Sequence, residues 1–125
     1  MDRKKILIID DEENFCNLLK KNVEMVSEFE VHTATSGEEG IKLIKELKPD
    51  LILLDVIMPD LDGGDVVSLI RGDDSIKDTP IIFLTSLVRK DEVSSQAGFT
   101  KGYSLLAKTV TVGELMACIE ENIRK

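Results

Sequence analysis

Leu51-Ile52-Leu53-Leu54-Asp55-Val56-Ile57-Met58-Pro59-Asp60-Leu61-Asp62-Gly63 decides the fold. Four consecutive aliphatic residues, set between Pro49-Asp50 and a segment rich in Pro, Asp and Gly, predict a strand buried on both faces of a parallel sheet. Asp55 falls where that strand ends. In open α/β sheets ligands sit beyond the carboxyl ends of the strands, so an acid placed there points into a site. An isolated Asp could equally close a strand or start a turn. A second apolar run, Ile6-Leu7-Ile8-Ile9, also ends in acid, at Asp10-Asp11-Glu12-Glu13, and the two together predict a shared carboxylate pocket. At about 4 Å two carboxylates repel by about 4 kcal/mol at an effective dielectric of about 20. Such a pocket needs protonation or a cation, and oxygen-only ligands suit magnesium.

Outward from this strand, strands and helices alternate. Lys5–Ile9 reads as strand one, followed by a helix from about Asn14 to Val26 with Phe15, Leu18, Leu19, Val23 and Val26 at helical spacing. Glu30–Ala34 reads as a short second strand. Ser36-Gly37-Glu38-Glu39 has capping-box form and opens a helix with Leu43, Ile44 and Leu47 on one side, ended by Pro49. Beyond the central strand come a helix over Gly63–Ile70, a break at Gly72-Asp73-Asp74-Ser75 and a fourth strand over Pro80–Leu84 that ends at Thr85-Ser86. The expected fourth helix, Arg89 to about Ala97, has only Val93 and Ala97 as clear apolar anchors and should be the least firmly docked. Tyr103–Ala107 reads as strand five, followed by Lys108, and Thr111-Val112-Gly113-Glu114 is a second capping box for a last helix with Leu115, Ile119 and Ile123 inward. The expectation is an α/β fold: one domain over residues 1–125, a doubly wound, five-stranded parallel sheet of flavodoxin-like order 2-1-3-4-5, with five helices on its two faces.

Composition narrows the function. At 125 residues the chain can bury one core without disulfide or metal staples. Its net charge of −8 argues against a phosphate-backbone binder, because no basic face is available. Arg3-Lys4-Lys5 and Lys20-Lys21 are too small to change this. No apolar run approaches the roughly 20 residues that cross a bilayer, and no hydrophobic signal region with a cleavage site follows the N-terminus, so the expected compartment is the cytoplasm. Cys16 and Cys118 lie inside helical apolar patterns and read as buried reduced thiols.

The candidate polar groups all fall at carboxyl strand ends: Asp10 and Asp11 after strand one, Asp55 after strand three, Thr85 after strand four and Lys108 after strand five. In a parallel sheet they converge. A carboxylate can attack phosphorus, and magnesium, an ammonium and a hydroxyl can compensate the charge of the arriving phosphoryl group. A surface Lys or a strand-end Thr is unremarkable alone; it is the joint placement with the acids that points to chemistry.

Asp10-Asp11, the segment from Asp55 to Gly63, Thr85-Ser86 and Lys108 resemble the receiver domain of two-component response regulators, over essentially the whole chain. The resemblance implies that Asp55 accepts a phosphoryl group from a histidine kinase. It implies a Mg2+ ligated directly by Asp11, through water by Asp10, by Asp55 and by the main-chain carbonyl of Ile57. It also implies that Thr85 turns toward the phosphate, that Lys108 pairs with it, and that the signal emerges on the fourth helix, fifth strand and fifth helix. Three departures stand out. Thr109 occupies the place of the usual proline after the lysine, Leu105 that of the usual aromatic residue with Tyr103 two positions earlier, and Gly98–Gly102 is about one residue off the usual spacing. These should alter coupling to the output surface more than phosphorylation. Ile57 and Leu87, apolar two positions beyond Asp55 and Thr85, should slow hydrolysis of the acyl phosphate.

A phosphatase of the dehalogenase type would want a second acid where Ile57 stands, and a nucleotide-binding domain would want a Gly-rich loop where Asp10-Asp11-Glu12-Glu13 stands. A pseudo-receiver, keeping the fold as a binding module without phosphorylation, is the remaining alternative. His32, in a strand away from the acids, is read as incidental. The expected partners are a sensor histidine kinase or phosphotransfer protein and a downstream effector protein or domain, with a homodimer through the fourth helix, fifth strand and fifth helix to be probed. Direct binding to nucleic acid or membrane is not expected.

Overall fold

The computed structural model describes residues 3–56, 58, 60–61, 63–86 and 103–123. Within them the chain runs β1 (Lys5–Ile9), α1 (Glu13–Val26), β2 (Glu30–Ala34), α2 (Gly37–Leu47), β3 (Leu51–Asp55), α3 (Gly63–Arg71), β4 (Ile81–Thr85), β5 (Ser104–Ala107) and α4 (Val112–Asn122), the last being the fifth helix of the sequence reading. The helix expected at 89–97 lies outside the described residues. All strand pairs are parallel, in the order β2-β1-β3-β4-β5, as the alternation of elements predicted.

Sheet alternation sorts the core into two layers. Leu7, Ile9, Ile52, Leu54 and Phe83 face α2 and α3, where Ile44, Val66 and Ile70 meet them. Ile6, Ile8, Leu51, Leu53, Ile82 and Leu84 face α1 and α4, where Cys16, Val23, Leu115 and Ile119 meet them. Every residue of β3 and β4 is buried, which is why those strands read as unbroken apolar runs. Burying each such aliphatic side chain contributes about 1.5–3 kcal/mol relative to exposure.

On α1 the inward stripe is narrower than its spacing suggested. Cys16 and Val23 are buried, but Leu18 and Val26 are 58% and 59% exposed, because one side of the helix meets the sheet and these two fall off it. Cys118 is only half-buried, a second correction, whereas Cys16 is fully covered, and both thiols are free. His32 sits on the edge strand β2, its Nε2 2.6 Å from Glu30 Oε2.

The caps fix where helices begin relative to the strand ends. Thr111 and Glu114 form the full reciprocal capping box of α4. At α2 only half of it forms: Ser36 Oγ accepts from the Glu39 amide, but the Glu39 carboxylate accepts from Thr35 N–H at 2.8 Å, one residue before the cap. Asp60 supplies the rest. Its two carboxylate oxygens accept from the Gly37 and Glu38 amides, each at 3.1 Å, which ties the loop after β3 to the start of α2. Close approach also demands glycine here: a Cβ on Gly37 would lie 2.6 Å from Leu61 Cβ, and one on Gly40 2.7 Å from Ile9 Cδ1.

Candidate functional site

Register carries the candidate residues to one edge. β1 ends with Ile9 beside Ala34 and Leu54, β3 ends with Asp55 beside Leu84, and β4 ends with Thr85 beside Ala107. The ladders run on past the strands: Asp10 N–H donates to Ala34 O (3.0 Å), Val56 N–H to Leu84 O (3.0 Å) and Lys108 N–H to Thr85 O (2.8 Å). Asp10, Asp55, Thr85 and Lys108 are therefore placed by backbone pairing rather than by flexible loops.

Together they form a charged cleft. Asp11, Glu12, Asp55, Val56, Thr85, Ser86 and Lys108 line an open cavity of about 260 Å³. Asp10, Asp55 and Thr85 are buried, while Asp11 is exposed. Asp10, Asp11 and Asp55 each offer a carboxylate oxygen, all within 4.8 Å of one another. Lys108 is the counter-charge: its Nζ lies 2.7 Å from Asp10 Oδ2, 2.7 Å from Glu12 Oε1 and 3.5 Å from Asp55 Oδ2. Its contact with Asp10 is a close ion pair to a fully buried carboxylate. Asp10 Oδ1 accepts from Glu12 N–H at 2.9 Å.

Burial alone would lower the Lys108 pKa, but contacts with Asp10 and Glu12 and the charge of Asp55 outweigh it and raise it. The ammonium thus stays charged at neutral pH. Nearby, burial and the Asp10 charge push the Cys16 thiol up to about 12, so it is a packed thiol and not a nucleophile.

Among the described residues, the carboxylates of Asp10, Asp11, Glu12 and Asp55 outnumber the Lys108 ammonium at this cleft, and an all-oxygen donor set of this kind fits a small divalent cation. Sequence reasoning found Asp10, Asp11, Asp55, Thr85 and Lys108, and the structure brings all five to one edge. The expected main-chain ligand Ile57 and the hydrolysis-side residue Leu87 lie outside the described residues.

The family model for the response regulator receiver domain matches residues 6–120. This chain belongs to the response regulator receiver family. It is 35% identical to the DNA-binding dual master transcriptional regulator RpaA of Synechocystis over 97% of this chain and 49% of that protein. It is 46% identical to the alkaline phosphatase synthesis transcriptional regulatory protein PhoP of Bacillus subtilis over 71% of this chain and 35% of that one. The receiver thus spans about half, or less, of the length of these relatives. Among solved structures it resembles the receiver domain of the Francisella response regulator 1452 (TM-score 0.78, 26% identity, 95% of each chain). It also resembles the Vibrio cholerae chemotaxis protein CheY4 (TM-score 0.81, 25% identity, 96% and 98% of the two chains).

The departure at Leu105 and Tyr103 can be located in the fold. Leu105 pairs with Phe83, two residues before Thr85, and packs on the α2–α3 side of the sheet. Tyr103 packs on the same side, as strand alternation predicted, edge-on to Phe83 with ring centroids 5.4 Å apart. Ala107, the partner of Thr85, lies four positions further along, or about 13 Å at about 3.3 Å per residue. Its hydroxyl accepts from Arg71 Nε at 3.0 Å. Tyr103 therefore holds the far end of the sheet and does not fill the place beside Thr85. No sequence signal pointed to Arg71, and Glu12 read only as one acid of the run after β1.

Proposed function

We propose that this receiver is a phosphorylation-dependent switch in which Asp55 accepts a phosphoryl group from a histidine kinase or phosphotransfer protein. The observation that carries this reading is the placement of the Lys108 ammonium 3.5 Å from Asp55 Oδ2, in an open cleft where Asp10 and Asp11 stand within 4.8 Å of the same carboxylate. An Asp55 oxygen attacks phosphorus, the bond from phosphorus to the donor's imidazole nitrogen breaks, and the electron pair leaves with the imidazole. Lys108 then pairs with the phosphoryl oxygens and the Thr85 hydroxyl donates to one of them. Hydrolysis reverses the state: water attacks phosphorus, the acyl oxygen leaves and the Asp55 carboxylate returns with release of inorganic phosphate. The chain acts on its own phosphoryl group and turns over no separate substrate.

Asp10, Asp11, Asp55 and the Ile57 carbonyl are the residues that would hold Mg2+. When bound, the ion supplies positive charge to the transferring phosphoryl oxygens. The relatives named as DNA-binding or transcriptional regulators are longer than this chain, which carries a net charge of −8. The output proposed is therefore a protein contact, made by β5, α4 and the segment at 89–97, to an effector protein, an effector domain or a second copy.

Intact mass after incubation with Mg2+ and acetyl phosphate tests the reading. A gain of one phosphoryl group by the native chain and none by Asp55→Asn is expected. No gain together with no measurable Mg2+ binding would favour the pseudo-receiver.

A further inference from the structure

Lys108 is held from the side of α1. No proline ring fixes the turn after it, since Thr109 follows, and among the described residues the turn is tied by backbone bonds from Lys108 N–H to Thr85 O and from Val110 N–H to Ala107 O. The long side chain needs its own restraint. Glu12 provides one at 2.7 Å, and the Phe15 ring another, its centroid 4.9 Å from Nζ. Glu12 is the N-cap residue of α1, yet its carboxylate makes no cap hydrogen bond. It reaches instead to a partner 96 positions away in the chain.

The ammonium and a divalent cation compete for the same oxygens. Nζ lies 2.7 Å from Asp10 Oδ2 and 3.5 Å from Asp55 Oδ2, and both residues belong to the three-carboxylate cluster. Like charges sharing those carboxylates repel, and the repulsion falls as they separate. The Glu12 carboxylate is a place where the ammonium can stay at the cavity while giving up Asp10 and Asp55. We propose that Glu12, backed by the Phe15 ring, is a positioning residue that seats the Lys108 ammonium during cation binding, so that Lys108 and a divalent ion can occupy the cleft together. This inference rests on the reading of the cleft as a Mg2+ site.

The test needs no phosphoryl donor. The chain has no Trp, so Mg2+ affinity of the full chain is read by calorimetry for the native protein, Glu12→Gln, Lys108→Ala and the double variant. Glu12→Gln is expected to weaken Mg2+ about five-fold when Lys108 is present and by less than about two-fold when it is absent, a coupling that a plain surface charge does not produce. Equal factors in the two backgrounds, or no change in either, would overturn the proposal while leaving the Mg2+ site intact. A native chain that binds no Mg2+ would overturn both. Glu12→Asp keeps the charge but loses one methylene of reach. It is expected to behave like Glu12→Gln, native-like affinity for it would overturn the seat, and it reads the point even if Lys108→Ala fails to fold.

Discussion

The two edges of this sheet are built on opposite principles. At the amino edge polar groups meet complements: Lys5 N–H donates to Asp50 Oδ2 (2.7 Å), and Arg3 donates to the carbonyls of Glu28 and Phe29 (2.6 and 3.0 Å). Arg71 reaches Tyr103 Oη (3.0 Å), Thr79 O (3.1 Å) and the carbonyl of Lys77. At the carboxyl edge like charges are crowded: among the described residues Asp10, Asp11 and Asp55 lie within 4.8 Å of one another beside the Lys108 ammonium. The same strands carry both edges. One edge closes the fold, and the other crowds like charges where an incoming cation or phosphoryl group can use them, so substitutions at the two should move stability in opposite directions.

The largest effect is expected from Arg71→Ala, which strips partly buried acceptors of a forked cation. Urea unfolding should show a loss of about 2–3 kcal/mol, and Arg71→Lys should restore less than half, because an ammonium cannot span acceptors on three residues. An unchanged midpoint would break the contrast between the edges. The next effect has the opposite sign. Among the described residues Asp55 faces two like charges within 4.8 Å and the Lys108 ammonium at 3.5 Å, and it is buried. Asp55→Asn should therefore stabilise the chain by about 1–2 kcal/mol in low salt without divalent ions. Added salt or Mg2+ should shrink that gain, and a destabilised Asp55→Asn protein under those conditions would show that the carboxyl edge is not under electrostatic load.

What was legible in the sequence follows from the range of each interaction. Asp55, Thr85 and Lys108 were legible because a strand announces itself by an unbroken apolar run, and its end is where the run stops. The order of strands followed from alternation with helices. By contrast, Asp60 meets Gly37 and Glu38 across more than twenty positions, and nothing near Asp60 in the chain marks it as a cap. Gly40 looks like a weak helix residue until Ile9 is seen against it. The α1 stripe was drawn too wide because helical spacing says which residues share a side, not how much of that side a flat sheet covers. Glu12 read as one more acid in a run, since its partner is at the other end of the chain.

A smaller gain is available at the amino edge, where α2 gives way to Pro49 through Lys48 in the left-handed region (φ 47°, ψ 63°), its N–H bonded to Ile44 O. Side chains resist that conformation by about 1 kcal/mol, whereas glycine does not. Lys48→Gly should raise the thermal midpoint slightly, a net gain of about 0.5 kcal/mol once the greater freedom of glycine in the unfolded chain is subtracted. A loss instead would mean that the Lys48 side chain itself stabilises this turn.

The smallest effect separates ordinary capping from the crowded acids at the carboxyl edge. The Gly37 amide first, and then that of Glu38, hold the Asp60 carboxyl below the usual carboxylate range. A carboxyl lowered in the folded state contributes stability that is present above its unfolded value, about 3.9, and is lost as pH falls through the folded value. Asp60 should therefore add to acid lability only below about pH 4, and because it is solvent-exposed the contribution at neutral pH should stay under about 1 kcal/mol. Asp60→Asn keeps an acceptor for one amide and removes the titration. The difference in unfolding free energy between Asp60→Asn and the native chain should be small at pH 7 and should narrow further between about pH 4 and pH 2. A difference that fails to narrow over that range would mean that the Asp60 carboxylate does not act as a cap of α2.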